Sequence, residues 1–369
     1  MSMYSDSNYR LKCNGMYSSP IPCKLGVKQG CNLSPLLFNL FINDIHSIFN
    51  EDCRSVNIDG NTFNSISFAD DLVLLSETEQ GLQQCLNNLH QYCSDWGLKV
   101  NISKTNVVVF NKSFNKKIKS LNFTINDQII EIKNSYCYLG VEISNTGSFS
   151  KAMDSLYKKS LRALFSIYAA LNVYSDGNTV SLFLTLFDSL VKPVLLYGGE
   201  IWGNFALKSN NNPIDKFVNK FYKSLLGVPS YTSTVGLHVE LGRFPISVYI
   251  KNTMLKYWCR LATLPKSRLV SHCYWSIYNI NNVQDKWLSS IKDIILSSDQ
   301  KNINFLWNSQ ESLYKVNHKT IKKSLVQISE TLKNTYLASA VDSMHVVNLH
   351  FRNTCFQSQH DLNVLHFPN

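Results

Sequence analysis

The sequence predicts an α+β chain: an antiparallel sheet with helices on one face through about residue 148, followed by two helical regions. Three observations carry that expectation. Short apolar alternations broken by turn residues recur between Cys23 and Ser144. Amphipathic helical segments lie among them. Beyond Phe149 the periodicity becomes almost wholly helical. No repeat of solenoid length and no Gly/Ser-rich or Pro-rich linker divides the 369 residues, so the expected boundaries follow periodicity alone, at 1–148, 149–270 and 271–369.

Ser34-Pro35 is a good helix start, with Ser as cap and Pro at the first helical position. The residues that follow, Leu36, Leu37, Phe38, Leu40, Phe41, Ile42, Ile45, Ile48 and Phe49, are apolar on most sides, which predicts a buried helix. A strand is expected from Thr62 to Phe68, a tight turn through Ala69-Asp70-Asp71, and an apolar strand from Leu72 to Leu75. A helix from about Thr78 to Trp96 puts Leu82, Leu86, Leu89, Cys93 and Trp96 on one face, with Gly97 closing it in a left-handed conformation. Val107 to Phe110 reads as a strand, Phe123 to Ile132 as a hairpin turning at Asn126-Asp127, and Tyr136 to Ile143 as one more strand. Further helices are expected near Lys151–Ala170, Val180–Val191, Asp215–Leu226, Ser247–Thr263, Gln284–Ser297 and Lys319–Tyr336.

With 44% hydrophobic and 12% aromatic residues, the chain can bury a sizeable core. Its 36 Lys and Arg against 26 Asp and Glu give +10 at pH 7, which favours an anionic partner such as nucleic acid. Exposed basic residues are expected to recur along the second-half helices, among them Lys158, Lys159, Arg162, Lys216, Lys220, Lys223, Lys251, Lys256 and Arg260, so one face should be positive. The ten cysteines are scattered and read as reduced, mostly buried thiols of an intracellular protein of cytoplasm or nucleus. Met1 to Asn14 is polar and no run of about 18 apolar residues occurs, so neither secretion nor a transmembrane segment is expected.

Asp70-Asp71 is the pair best suited to chemistry. Two-metal phosphoryl transfer needs adjacent carboxylates held rigidly, because two divalent ions about 3.5–4 Å apart must clamp the attacking and the leaving oxygen. A hairpin tip between apolar strands is a suitable mount.

The segments around this pair carry a resemblance. Gly26-Val27-Lys28-Gln29-Gly30-Cys31-Asn32-Leu33-Ser34-Pro35, with the helix through Phe38-Asn39 to Ile42-Asn43-Asp44, resembles the nucleotide-binding segment of reverse transcriptases of non-LTR (LINE-type) retrotransposons. About thirty residues on, Phe68-Ala69-Asp70-Asp71 resembles that family's metal-binding hairpin. Trp96-Gly97-Leu98-Lys99-Val100-Asn101-Ile102-Ser103-Lys104-Thr105 looks like its next motif, and Tyr138-Leu139-Gly140-Val141-Glu142-Ile143 resembles its primer grip. Val191-Lys192-Pro193-Val194-Leu195-Leu196-Tyr197-Gly198 also recurs in such elements. The resemblance covers residues 10 to 145 well and the later helices more loosely.

The resemblance implies a partial polymerase palm over 1–148, a thumb-like helical domain over 149–270, and a C-terminal helical region over 271–369. It implies an RNA-directed DNA polymerase domain that transfers a nucleotide from a dNTP to a primer 3′-hydroxyl on an RNA template and DNA primer, with Mg2+ or Mn2+ as cofactor. Asp70, Asp71 and Lys104 would be catalytic, the two aspartates binding metal and Lys104, near the triphosphate, assisting the leaving pyrophosphate. Lys28, Gln29, Gly30, Phe68 and Ala69 would bind substrate, while Tyr138, Leu139 and Gly140 would contact the primer.

One departure matters. The family's palm opens with an aspartate strand of the type Asp-x-x-Lys-Ala-Phe-Asp, and nothing here matches it; the one acidic residue before Lys24 is Asp6. The sequence therefore reads as N-terminally truncated, lacking the fingers and a bridging carboxylate. It is expected to polymerise weakly or not at all alone, with the remaining N-terminal part of the polymerase as a partner. The alternative is a non-enzymatic nucleic-acid-binding remnant of such an element. The spacing of His345, His350, Cys355 and His360 would scatter them around a helix and does not suit a metal site. The run Lys112, Lys116, Lys117, Lys119 reads as an exposed charged loop or a phosphate contact.

Overall fold

The computed structural model describes residues 8–22, 26–28, 30–110, 121–172, 180–208, 212–265, 267–279, 285–296 and 318–343. The chain mixes helices with small sheets and divides into two compact units, Met1–Lys133 and Asn134–Asn369.

The first unit opens with four short exposed strands: β1 (Asn8–Tyr9) pairs with β4 (Ile21–Pro22), and between them β2 (Lys12–Cys13) pairs with β3 (Met16–Tyr17). Helix α1 spans Ser34–Phe41 with Pro35 in its first turn. The Ser34 hydroxyl does not cap it; it donates to the Lys28 carbonyl at 2.5 Å and pins the preceding turn. The expectation that this helix is buried fails. Ser34 is its one buried residue, while Leu36, Leu37, Leu40 and Phe41 are exposed, because the cover on that face is slight: the Trp96 ring meets Phe41 edge-on, with centroids 5.3 Å apart. After Phe41 the chain turns into a 3-10 segment, Ile45–Ile48.

The expected strand from Thr62 to Phe68 is two strands, each in its own hairpin. β5 (Val56–Ile58) pairs with β6 (Asn61–Phe63), and β7 (Ser65–Phe68) pairs with β8 (Asp71–Leu74). Asn64 divides them by donating its side-chain amide to the Phe49 carbonyl at 2.7 Å. Helix α2 (Glu79–Asp95) is capped by Thr78, whose hydroxyl accepts from the Gly81 amide, and Gly97 follows it at φ 64°. Its inward face carries Cys85, Leu86, Leu89, Tyr92 and Cys93, whereas Trp96 lies at the surface. β9 is two residues, Asn106–Val107, parallel to the end of β11 (Gln128–Ile132). β10 (Phe123–Ile125) joins β11 through Asn126-Asp127, both at positive φ, as the turn chemistry predicts. The two small cores of this unit meet on α2: one holds Ile45, Phe49 and Cys53, the other Val107, Phe123, Ile125 and Ile130.

The second unit begins with a hairpin where one strand was expected: β12 (Ser135–Tyr138) pairs with β13 (Val141–Ser144) around Leu139-Gly140. Helices follow: α3 (Ser150–Asn172), α4 (Val180–Leu186), a π turn over Phe187–Val191, α5 (Lys192–Leu195), α6 (Gly199–Lys208), α7 (Pro213–Leu225), α8 (Thr234–Glu240), α9 (Ile246–Thr263), α10 (Leu269–Asn279), α11 (Lys286–Leu296) and α12 (His318–Ser343). They enclose one continuous core in which Trp202, Ile214, Ile250, Met254 and Trp258 are almost fully buried. A charged group supports the π turn: Asp188 accepts from Arg243 and lies 3.5 Å from Lys192, whose ammonium stands 3.3 Å from the centre of the Tyr249 ring.

Of the eight described cysteines none is disulfide-bonded, and Cys53, Cys85, Cys93 and Cys259 are buried. No single helix among the described residues is long and apolar enough to cross a membrane.

Candidate active site

The β7–β8 hairpin is closed by the Phe68–Asp71 pair, leaving Ala69 and Asp70 as its two-residue loop. Ala69 holds φ 52°, a left-handed conformation that a side chain ordinarily avoids. Strand alternation sorts the side chains. Leu72 and Leu74 pack on the unit's core, and the cross-strand partners Ser67 and Ser65 share their face. Asp71 shares the opposite face with Phe68 and Ile66, which are exposed. Both Asp70 and Asp71 therefore reach solvent at the tip of a hairpin anchored by its other side.

Two contacts hold this hairpin that the sequence did not reveal. His46, in the 3-10 segment after α1, places Nδ1 2.7 Å from Ser65 Oγ and Nε2 3.1 Å from Ser67 Oγ. One imidazole thus bridges two residues of β7. The Tyr92 hydroxyl on α2 donates to Asp44 Oδ1 at 2.6 Å and fixes the turn that carries His46. Burial, and then the Asp44 carboxylate, push the Tyr92 hydroxyl up to about 12.

The other expected site residues lie on separate segments of the chain. Lys28 and Gly30 (φ 77°) are exposed in the turn before α1; Gln29 lies outside the described residues. Lys104 ends a 3-10 turn over Ile102–Lys104 and is exposed. Tyr138, Leu139 and Gly140 occupy the β12–β13 turn of the second unit, with Leu139 at φ 46° and Gly140 at φ 83°. The lysines from Lys112 to Lys119 and the group His345, His350, Cys355 and His360 lie outside the described residues.

Asp70 and Asp71 offer oxygen donors suited to a hard divalent cation. Among the described residues no cluster of three or more His, Cys, Asp or Glu suited to a metal ion forms around them.

The comparisons with known proteins decide what this hairpin belongs to. Residues 2–143 match the family model described as reverse transcriptase (RNA-dependent DNA polymerase). Over those residues the chain is similar to the reverse transcriptase domain of LINE-type elements. The chain is 28% identical over 276 residues to the "Probable RNA-directed DNA polymerase from transposon BS" of Drosophila melanogaster, covering 70% of this chain and 29% of that protein. It is 25% identical over 277 residues to the RNA-directed DNA polymerase from mobile element jockey of the same species, covering 72% of this chain and 29% of the relative. A retrovirus-related Pol polyprotein from the type-1 retrotransposable element R2 of Nasonia vitripennis is 26% identical over 259 residues, or 64% of this chain and 24% of that protein. The chain thus spans less than a third of the length of these relatives. The reverse transcriptase match ends at residue 143, so it takes in both the Phe68-Ala69-Asp70-Asp71 hairpin and most of the β12–β13 hairpin. The alignments to the relatives, at about 70% of this chain, extend beyond the family match.

Proposed function

We propose that the chain contributes to RNA-directed DNA synthesis, the attack of a primer 3′-hydroxyl on the α-phosphate of a dNTP directed by an RNA template. The observation that carries this reading is the β7–β8 hairpin, which brings Asp70 and Asp71 to an exposed tip and anchors its other face in the core. In this reading residues 1–148 are a partial palm and 149–270 a thumb-like domain. Asp70 and Asp71 are the residues that would hold divalent metal, Mg2+ or Mn2+. Such ions, when bound, supply Lewis-acid stabilisation of the attacking and leaving oxygens.

The chain's own residues do the rest. Lys104 supplies positive charge for the triphosphate. Lys28, Gln29 and Gly30, with Phe68 and Ala69, line the position of the incoming nucleotide. Tyr138, Leu139 and Gly140 hold the primer end. Exposed basic residues on α3, α7 and α9, including Lys158, Arg162, Lys216, Lys220, Lys256 and Arg260, suit phosphate backbone.

The donor set favours a second reading beside the first. Among the described residues no third acidic, His or Cys side chain joins the two, which makes a weak metal pair, so in this reading the chain alone acts as a nucleic-acid binder with little or no turnover. A further carboxylate would then be supplied by another polymerase segment. One experiment separates the readings: the full chain is given a DNA primer on an RNA template with dNTPs and Mg2+. Extension that disappears in Asp70→Ala supports polymerisation by the chain alone. Salt-dependent binding without extension supports the second reading, and absence of binding at low salt removes both.

A further inference from the structure

The segment Lys192–Gly198 has no part in the functions assigned above, yet it ends directly beneath the β12–β13 turn. The Tyr197 hydroxyl donates to the Leu139 carbonyl at 2.7 Å, across 58 residues of sequence. Its ring lies against Gly140, where an added Cβ would stand 3.0 Å from Tyr197 Cε1. The contact is reciprocal: a Cβ on Gly198 would stand 3.0 Å from Val141 Cγ2. Each glycine thus leaves room for a side chain of the other segment, and both hold a positive φ. Lys159 of α3 adds a longer contact, its ammonium 3.5 Å from the Gly140 carbonyl.

Tyr197 is itself fixed from behind. The Trp202 indole, fully buried, donates to the Tyr197 carbonyl at 2.8 Å. The backbone of Tyr197 is therefore tied to the core while half of its surface remains exposed. Leu139, for its part, is a branched residue held at φ 46°, a conformation that needs support from elsewhere. The Tyr197 hydroxyl on its carbonyl gives that support.

We infer that Tyr197 is a positioning residue for the primer-contacting turn: it sets the conformation of Leu139-Gly140 through its hydroxyl and ring, and through that turn the seating of a primer 3′ end. The inference rests on the reading of Tyr138, Leu139 and Gly140 as primer contacts. It adds a role for a segment that the polymerase reading leaves idle, and it separates Tyr197 from residues that only fill the core.

The test measures binding of the full chain to two RNA–DNA hybrids of equal length, one with a recessed primer 3′ end and one closed at both ends as a dumbbell. Tyr197→Phe keeps the ring and removes the hydroxyl. It is expected to lower the preference for the recessed end by about five-fold, the worth of one hydrogen bond, with binding to the dumbbell unchanged. A parent chain that prefers the recessed end, with Tyr197→Phe unaltered, overturns the inference and leaves the primer-contact reading standing. Equal loss on both hybrids in step with a lower urea midpoint shows a merely structural residue and also overturns it. A parent chain without any preference for the recessed end overturns the primer-contact reading and the inference together.

Discussion

His46 Nδ1 stands 2.7 Å from Ser65 Oγ, and the same ring reaches Ser67 at 3.1 Å through Nε2, so a single side chain staples the first strand of the Asp70-Asp71 hairpin. Because β7 pairs with β8 alone among the described residues, this staple replaces support that a wider sheet would give. His46→Ala is expected to destabilise the first unit by about 1 kcal/mol, the net worth of a hydrogen bond or two at a partly exposed site. Its amide exchange should rise locally, between Ser65 and Leu74. Unchanged protection in that hairpin would show that His46 does not hold it.

Ala69 carries the turn at φ 52°. A left-handed residue with a Cβ costs about 1–2 kcal/mol, and a β-branched one costs more because its side chain crowds the following carbonyl. Ala69→Val should therefore lower stability in urea by about 1–2 kcal/mol. Ala69→Gly should be neutral or slightly stabilising, since relief of strain offsets the extra freedom of the unfolded chain. The order Gly, Ala, Val is the result to look for.

Metal should bind the tip without being part of the fold. Two carboxylates on an exposed loop have few charged ligands to offer, so Mn2+ affinity should be weak, on the order of 10⁻³ M. Paramagnetic titration of the parent chain should detect that binding, and the double substitution Asp70→Asn with Asp71→Asn should remove it. EDTA should leave the unfolding midpoint where it was.

The residues legible in the sequence are those whose local chemistry settles their conformation. Asn126-Asp127 between alternating apolar residues gives a hairpin turn and nothing else, and the structure has it there. Thr78 and Gly97 bracket α2 for the same reason. The β12–β13 hairpin reads as one strand because Leu139 is not a turn residue; the hydroxyl on its carbonyl comes from Tyr197, 58 residues away. His46 escaped notice because its partners lie 19 and 21 residues downstream, on a strand whose serines look like ordinary surface. The sequence reading contains no helix over Gly199–Lys208, where Gly198 at φ 68° ends one turn and Gly199 opens α6. For α1, apolar composition states a demand for cover and cannot say whether any element meets it.

That unmet demand is testable. Leu36 and Leu40 are 57% and 63% exposed and one helical turn apart. Changing both to glutamate removes no core contact, so stability should stay within about 0.5 kcal/mol. Exposed apolar patches drive association, so light scattering of the parent chain should rise with concentration and that of the variant should not. A large loss of stability would mean that these leucines are buried in solution.

A buried histidine in the second unit sets an acid limit on stability. His238 on α8 is 3% exposed; its Nε2 lies 2.9 Å from Asn219 Oδ1, and its Nδ1 has no hydrogen-bond partner among the described residues. Tyr222 and Tyr336 pack edge-on against the ring. Burial disfavours the imidazolium and pulls the folded value down to about 4. The unfolded value is about 6.5, so between these limits the unfolded chain holds a proton that the folded chain does not. Stability from this residue is then complete above about pH 6.5 and declines as pH falls toward 4, by up to about 1.4 kcal/mol per pH unit. Carboxylates complicate the lower half of that window, so the comparison belongs between pH 7 and pH 5. His238→Phe keeps an aromatic ring and removes the titrating group; its urea midpoint at pH 7 should fall, since Asn219 loses its partner, but the further drop from pH 7 to pH 5 should be smaller than in the parent. Parallel declines in the two proteins would place the acid sensitivity elsewhere.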